Sequence, residues 1–78
     1  MYTTYVLKDK NNKFYKGVTN DIKRRLQEHK SGRTKTTSKM EELRIVYQEE
    51  HADFKIARKR ELYLKSAAGR KFLKKVLI

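Results

Sequence analysis

A chain of 78 residues has room for one domain over 1–78, with a thin core and two layers at most. Cysteine is absent, which excludes a disulfide framework and a cysteine-ligated zinc site, and no apolar run reaches the roughly 18 residues that a membrane helix needs. Twenty-one Lys and Arg against nine Asp and Glu give a net charge of +12, a field that favours polyanions, of which nucleic acid is the commonest.

Tyr5-Val6-Leu7 and Phe14-Tyr15 are β-prone runs separated by a polar stretch with Asn11 and Asn12, which predicts a β-hairpin. Gly17 is expected to end the second strand. A helix follows over about 20 to 30, with Thr19 or Asn20 as its cap and Asp21 well placed for its dipole. Ile22 and Leu26 make its apolar side, while Arg25 and His29, also four apart, project together from a neighbouring face. Gly32 suits its C-terminal stop, and the basic, acid-free stretch 31–39 reads as a loop.

Leu43, Ile45 and Tyr47 alternate with Arg44, Val46 and Gln48, the period of a strand with at least one buried face. From Asp53 to about Lys65 the pattern is helical: Phe54, Ile56, Ala57, Tyr63 and Leu64 share one side, and Glu61 falls at the margin of that apolar arc. Ser66 caps a last helix striped by Phe72, Leu73, Val76 and Leu77. The order β-β-α-β-α-α predicts an α+β fold, a small three-stranded antiparallel sheet flanked by helices.

Charge is unevenly placed. Residues 41–53 carry Glu41, Glu42, Glu49, Glu50 and Asp53 against Arg44, whereas among the nine cations of 54–78 Glu61 is the lone acid. Cutting a phosphodiester needs an activated water, positive charge on the non-bridging oxygens and help for the leaving oxygen. One carboxylate can hold a hydrated Mg²⁺, Arg supplies a permanently charged phosphate contact, and Tyr or His can move the proton. Tyr5 and Tyr15 on adjacent strands, Arg25 and His29 on the next helix, and Glu61 supply each part. Singly, each has an ordinary explanation. The tyrosines suit any strand surface, Arg25 and His29 suit a solvated helix face, and Glu61 can pair with Arg58 or Lys65.

Together these positions carry a resemblance. Tyr5, then Phe14-Tyr15-Lys16-Gly17, then Thr19-Asn20-Asp21-Ile22-Lys23-Arg24-Arg25-Leu26-Gln27-Glu28-His29 resemble the start of the GIY-YIG nuclease domain. Arg60-Glu61-Leu62-Tyr63-Leu64-Lys65-Ser66 and Gly69-Arg70-Lys71-Phe72-Leu73 are similar to the end of its small single-domain bacterial members, related to the excision-repair nuclease subunit. The resemblance implies a catalytic constellation of Tyr5, Tyr15, Arg25, His29 and Glu61 around one metal-bound phosphate. In it Glu61 is the sole protein ligand of Mg²⁺ or Mn²⁺, Arg25 holds the scissile phosphate, and Tyr5 activates or positions water with Tyr15 and His29 assisting. A phenol with its ordinary pKa of ~10 is a poor base at neutral pH, so that role asks for cations nearby.

Three positions depart from the family pattern. The first motif reads Thr3-Thr4-Tyr5 and keeps only the tyrosine. In Tyr15-Lys16-Gly17 a lysine stands where an aliphatic residue is usual, on the strand face opposite Tyr15. Ala67-Ala68 replace a segment that contains glycine in small relatives.

The implied activity is metal-dependent endonucleolytic hydrolysis of duplex or branched DNA, in repair or processing, with a cytoplasmic address and no membrane contact. Lys16, Arg24, Arg33, Lys35, Lys39, Lys65 and Arg70 are the expected nucleic-acid contacts. So small a surface reads few base edges, which implies weak specificity or a protein partner that supplies it. Two other readings compete: a non-catalytic nucleic-acid-binding module with the same fold, and an interaction protein whose acidic segment 41–53 meets a basic partner.

Overall fold

A computed structural model describes residues 1–32 and 40–77. The elements run β1 (Tyr2–Lys8), β2 (Phe14–Thr19), α1 (Ile22–Lys30), β3 (Arg44–His51), α2 (Phe54–Lys65) and α3 (Ala67–Val76). The strands form one antiparallel sheet in the order β2-β1-β3, so the central strand is also the first in the chain and β2 is an edge. This is the α+β architecture expected from the order of elements.

The hairpin turn is built by Asp9. Its buried carboxylate accepts from the amides of Asn11 (2.9 Å) and Lys13 (2.8 Å), and Asn12 takes the left-handed conformation, φ 63°, that asparagine tolerates. Residue alternation on β1 then sorts the two faces. Tyr5 and Leu7 point to one side, where Tyr15, Ile22, Leu26, Met40, Leu43 and Ile45 join them. Val6 points to the other, packed with Leu64, Leu73, Val46, Tyr47, Phe72 and Leu77. Thr4 shares that second face and donates its buried hydroxyl to the Ala57 carbonyl at 2.9 Å, tying α2 to the centre of the sheet. Helix α1 therefore covers one face and α2 with α3 the other. The arrangement has three layers rather than the two that chain length suggested, because a three-stranded sheet is narrow enough for one helix to cover one side and two the other.

Several local expectations change. Asp21, not Thr19 or Asn20, caps α1: its side chain accepts from the Arg24 amide at 3.1 Å, while Thr19 braces the approach by accepting from the Asp21 amide. Strand β2 runs through Gly17 to Thr19 instead of ending there. On β3 a bulge opposite Val6 and Leu7 inserts Val46, so Leu43 and Ile45 serve the α1 face while Tyr47 crosses to the α3 face. A strict two-residue period had put all three on one side.

Helix α2 departs most. Its buried residues are Ala57, Glu61 and Leu64, whereas Phe54, Ile56 and Tyr63 are 50%, 54% and 38% exposed. Glu61 thus sits at the middle of the buried arc, not at its margin. Apolar side chains on this helix instead form local surface contacts: Tyr2 packs edge-on to Phe54, and the Arg60 guanidinium lies over the rings of Tyr63 and Phe72 at 4.8 and 4.9 Å.

Candidate active site

Tyr5 reaches across the neighbouring Gly17, with which it is paired in register, because glycine leaves room for the ring. A Cβ there would lie 2.7 Å from Tyr5 Oη and 3.1 Å from Tyr15 Cε1. Beyond the glycine, Tyr5 Oη meets His29 Nε2 at 2.9 Å, and both side chains are 1% exposed. Tyr15, two residues before Gly17 and hence on the same face, brings its ring to 4.7 Å from that of His29 and 6.2 Å from that of Tyr5. Arg25, one turn before His29, has its guanidinium beside both phenols and pairs with Glu28 at 3.1 Å. The structure therefore assembles Tyr5, Tyr15, Arg25 and His29, with Tyr15 and Arg25 on the partly exposed side and Tyr5 and His29 beneath.

The electrostatics separate the two buried groups. Burial pushes the Tyr5 phenol up to about 12, and the opposing pull of Arg25 does not compensate. Burial, then Arg25, lowers His29 below its ordinary 6.5. At neutral pH the phenol keeps its proton and the imidazole is uncharged; in the tautomer with the ring proton on Nδ1, Tyr5 Oη donates to Nε2. The nearby cation that a basic tyrosine would ask for is present, and desolvation outweighs it.

Glu61 stands in the opposite layer, on the sheet-facing side of α2, one turn beyond the carbonyl that Thr4 holds. Only 6% exposed, it pairs with Arg58 and with Lys65, the latter at 3.1 Å. The sheet lies between the layer that carries this carboxylate and the face that carries the tyrosines. A hollow beside α1, lined by Arg24, Arg25 and Glu28 with Val18 and Thr19 of β2 and Phe54 of α2, has neither Glu61 nor Tyr5 or Tyr15 in its lining. Among the described residues no group of three or more His, Asp or Glu could hold a metal ion. A buried hard oxygen whose two cationic partners are half exposed and able to swing into water does fit a divalent ion anchored by one protein ligand, with water and phosphate oxygens completing its shell.

The expected nucleic-acid contacts divide. Arg24 is on the hollow beside Arg25, and Lys16 lies with Lys65 and Arg70 on the α2–α3 side of the sheet. Arg33, Lys35 and Lys39, and most of the loop expected over 31–39, are outside the described residues. In the acidic segment Glu41 pairs with Lys10 at the surface, Glu49 binds Arg60 at 2.9 Å and His51 at 3.2 Å, and Glu42 and Glu50 are exposed.

Sequence reasoning missed the work of two glycines and a threonine. Gly17 admits the Tyr5 ring, Gly69 lets α3 turn back against α2, and Thr4 clamps α2 to β1. The signal available for Gly17 was its register opposite Tyr5. Replacing Gly17 by alanine is expected to drive the phenol off His29 and to cost about 1–3 kcal/mol through overpacking. Thermal unfolding together with the His29 imidazole NMR signals measures this; an unchanged midpoint and unchanged signals would show that the ring has room to move.

The family model of the GIY-YIG catalytic domain matches residues 1–75. The solution NMR structure of the UPF0213 protein of Bacillus halodurans is similar in fold, with a TM-score of 0.59 at 28% identity over 97% of this chain and 85% of that one. A comparison with curated proteins finds no match. The order of strands and helices agrees with that neighbour and the family model spans nearly the whole chain, so the chain belongs to the GIY-YIG catalytic domain family.

Proposed function

We propose that the protein is a metal-dependent endonuclease that hydrolyses DNA phosphodiester bonds at the edge of β2. The observation that carries this reading is the Tyr5–His29 pair, a protonated phenol hydrogen-bonded to a neutral imidazole beneath a partly exposed arginine. An ordinary nucleic-acid-binding surface has no need to bury such a pair. Arg25 holds the scissile phosphate through its non-bridging oxygens. Water approaches past Tyr15 and gives a proton to Tyr5 Oη as the Tyr5 proton passes to His29 Nε2. Tyr5 thereby activates water without ionising, and His29 is the final acceptor. Hydroxide attacks phosphorus and the leaving oxygen departs from the opposite side. What Mg²⁺ or Mn²⁺ supplies when held by Glu61 is positive charge for the phosphate and for that leaving oxygen. Lys65, Arg24 and the other basic residues named above hold the flanking backbone. No helix among the described residues is long and apolar enough to cross a membrane, and a cytoplasmic enzyme of DNA repair or processing is the setting that this substrate fits.

The test is cleavage of blunt duplex, single-stranded and branched DNA with Mg²⁺, with Mn²⁺ and with neither. Metal-dependent cutting of at least one substrate is expected. Binding to all three with cutting of none, under either metal, would leave a binding module with the same fold.

The relay also fixes a pH dependence. Its acceptor is His29 in the neutral form, so the rate should rise with pH along one limb lying below 6.5 and then stay flat through neutrality. A rate that instead climbed tenfold per unit from about pH 7 to 9 would require an ionising base of higher pKa and overturn the relay. Stability moves in the same sense: with the folded pKa depressed, His29's contribution is complete above 6.5 and is lost as pH falls through the folded value.

A further inference from the structure

On the sheet face away from the tyrosines, between the β1–β2 hairpin and α3, lies a cavity of about 350 Å³ with two chemically distinct parts. Its floor is Phe14, Leu73 and Leu77, and its rim is Lys16, Arg70 and Lys74. Among the described residues that line it there is no carboxylate side chain. Phe14 is 45% exposed, with the Lys8 ammonium 5.8 Å from its ring centroid. Lys16 holds its proton less firmly than an ordinary lysine, through burial first and then the charges of Arg70 and Lys65. An exposed aromatic ring and a crowd of like charges are both relieved by a ligand that joins a flat apolar face to an anion.

A nucleotide is such a ligand, provided its base is unpaired. Within a duplex the base faces are hidden in the stack, and only phosphates would reach the rim. Location adds a second argument. Lys16 directly follows Tyr15 on the edge strand, its side chain on the opposite face, so a DNA strand rounding that edge next to Arg25 comes to the cavity within the next nucleotide or so. Lys16 joins Arg70 and Lys74 in making the rim cationic.

We propose that this cavity receives one unpaired nucleotide, its base against Phe14 and Leu73 and its flanking phosphates on Lys16, Arg70 and Lys74, so that the protein selects DNA with a single-stranded segment beside the bond to be cut. The inference rests on a nucleic-acid substrate and deepens that reading by naming its structural class.

The experiment is equilibrium binding in EDTA, by fluorescence anisotropy, of labelled oligo-dT, the same strand with abasic sites, and a blunt duplex. Phe14→Ala should weaken oligo-dT binding roughly ten- to a hundredfold while changing duplex binding less than about twofold. Phe14→Trp should restore it, and the abasic strand should bind wild type as oligo-dT binds Phe14→Ala. Arg70→Gln should lower the salt slope on oligo-dT by about 0.7, one phosphate contact. Equal losses on strand and duplex, indifference to the missing base, or Phe14-dependent binding of anionic phospholipid vesicles that exceeds that of oligo-dT would each overturn the proposal. Phe14 is half exposed, so its truncation leaves the fold standing, as the melting midpoint verifies. With metal absent the outcome does not depend on cutting: a protein that binds in this way and cuts nothing refutes the nuclease and keeps the cavity.

Discussion

Gly69→Ala should unfold the protein, or leave it with a melting midpoint lowered by tens of degrees. Gly69 is buried in the first turn of α3, where Ser66 ends α2 and caps α3 at once, accepting from the Gly69 amide at 3.2 Å. The two helices meet so closely that a Cβ at this position would lie 1.9 Å from the Tyr63 carbonyl oxygen and 2.5 Å from the Leu64 Cα. Both are backbone atoms of the last turn of α2, so no side chain can rotate away; α3 itself must shift. That shift would lift Leu73 from its packing on Val6 and Leu64 and open the second half of the core. Overpacking typically costs about 1–3 kcal/mol, and a backbone obstruction belongs at or beyond the top of that range. Against roughly 4–12 kcal/mol of total stability for a chain of this length, that is a large share. Circular dichroism melting checks it. A midpoint within a few degrees of wild type would mean that α2 and α3 are less tightly apposed than the structure has them.

The same junction illustrates what sequence could and could not convey. Ser66 was legible as a cap because capping is a local matter of residue type. The demand on Gly69 was not, since it depends on where another helix ends in space. The hairpin, the pairing of Arg25 with His29 one turn apart and the order of elements were legible for the same local reason. What required the third dimension were the bulge that moves Tyr47 to the other face and the burial of Glu61. Helix α2 carries too few apolar residues for its periodicity to pick out the buried side. The Thr4 hydroxyl and the ring contacts of Arg60 fix its rotation instead. Of the five residues suggested by the family resemblance, four share one cluster because β1, β2 and α1 are sequential neighbours. The fifth arrives on α2 from the other layer, and no spacing rule relates it to them.

Glu61→Gln isolates that fifth residue, and cleavage by it should fall at least about a hundredfold with little change in stability. Glutamine keeps the shape and one carbonyl oxygen, so packing between Ala57 and Leu64 is preserved. Removing the charge strands neither partner, because Arg58 and Lys65 are 48% exposed at the side chain and rehydrate in place. Loss of a buried carboxylate also removes its desolvation cost, which offsets the loss of the two pairs. If the carboxylate anchors the metal, the amide oxygen, carrying no net charge, should bind it far more weakly. The rate loss should then be steepest at low Mg²⁺ and partly recovered at high Mn²⁺. A purely structural Glu61 predicts the reverse pattern, a lowered melting midpoint with a rate that follows the folded fraction. Cleavage equal to wild type at every metal concentration would remove Glu61 from the site and leave the cluster of Tyr5, Tyr15, Arg25 and His29 to find its metal ligand elsewhere.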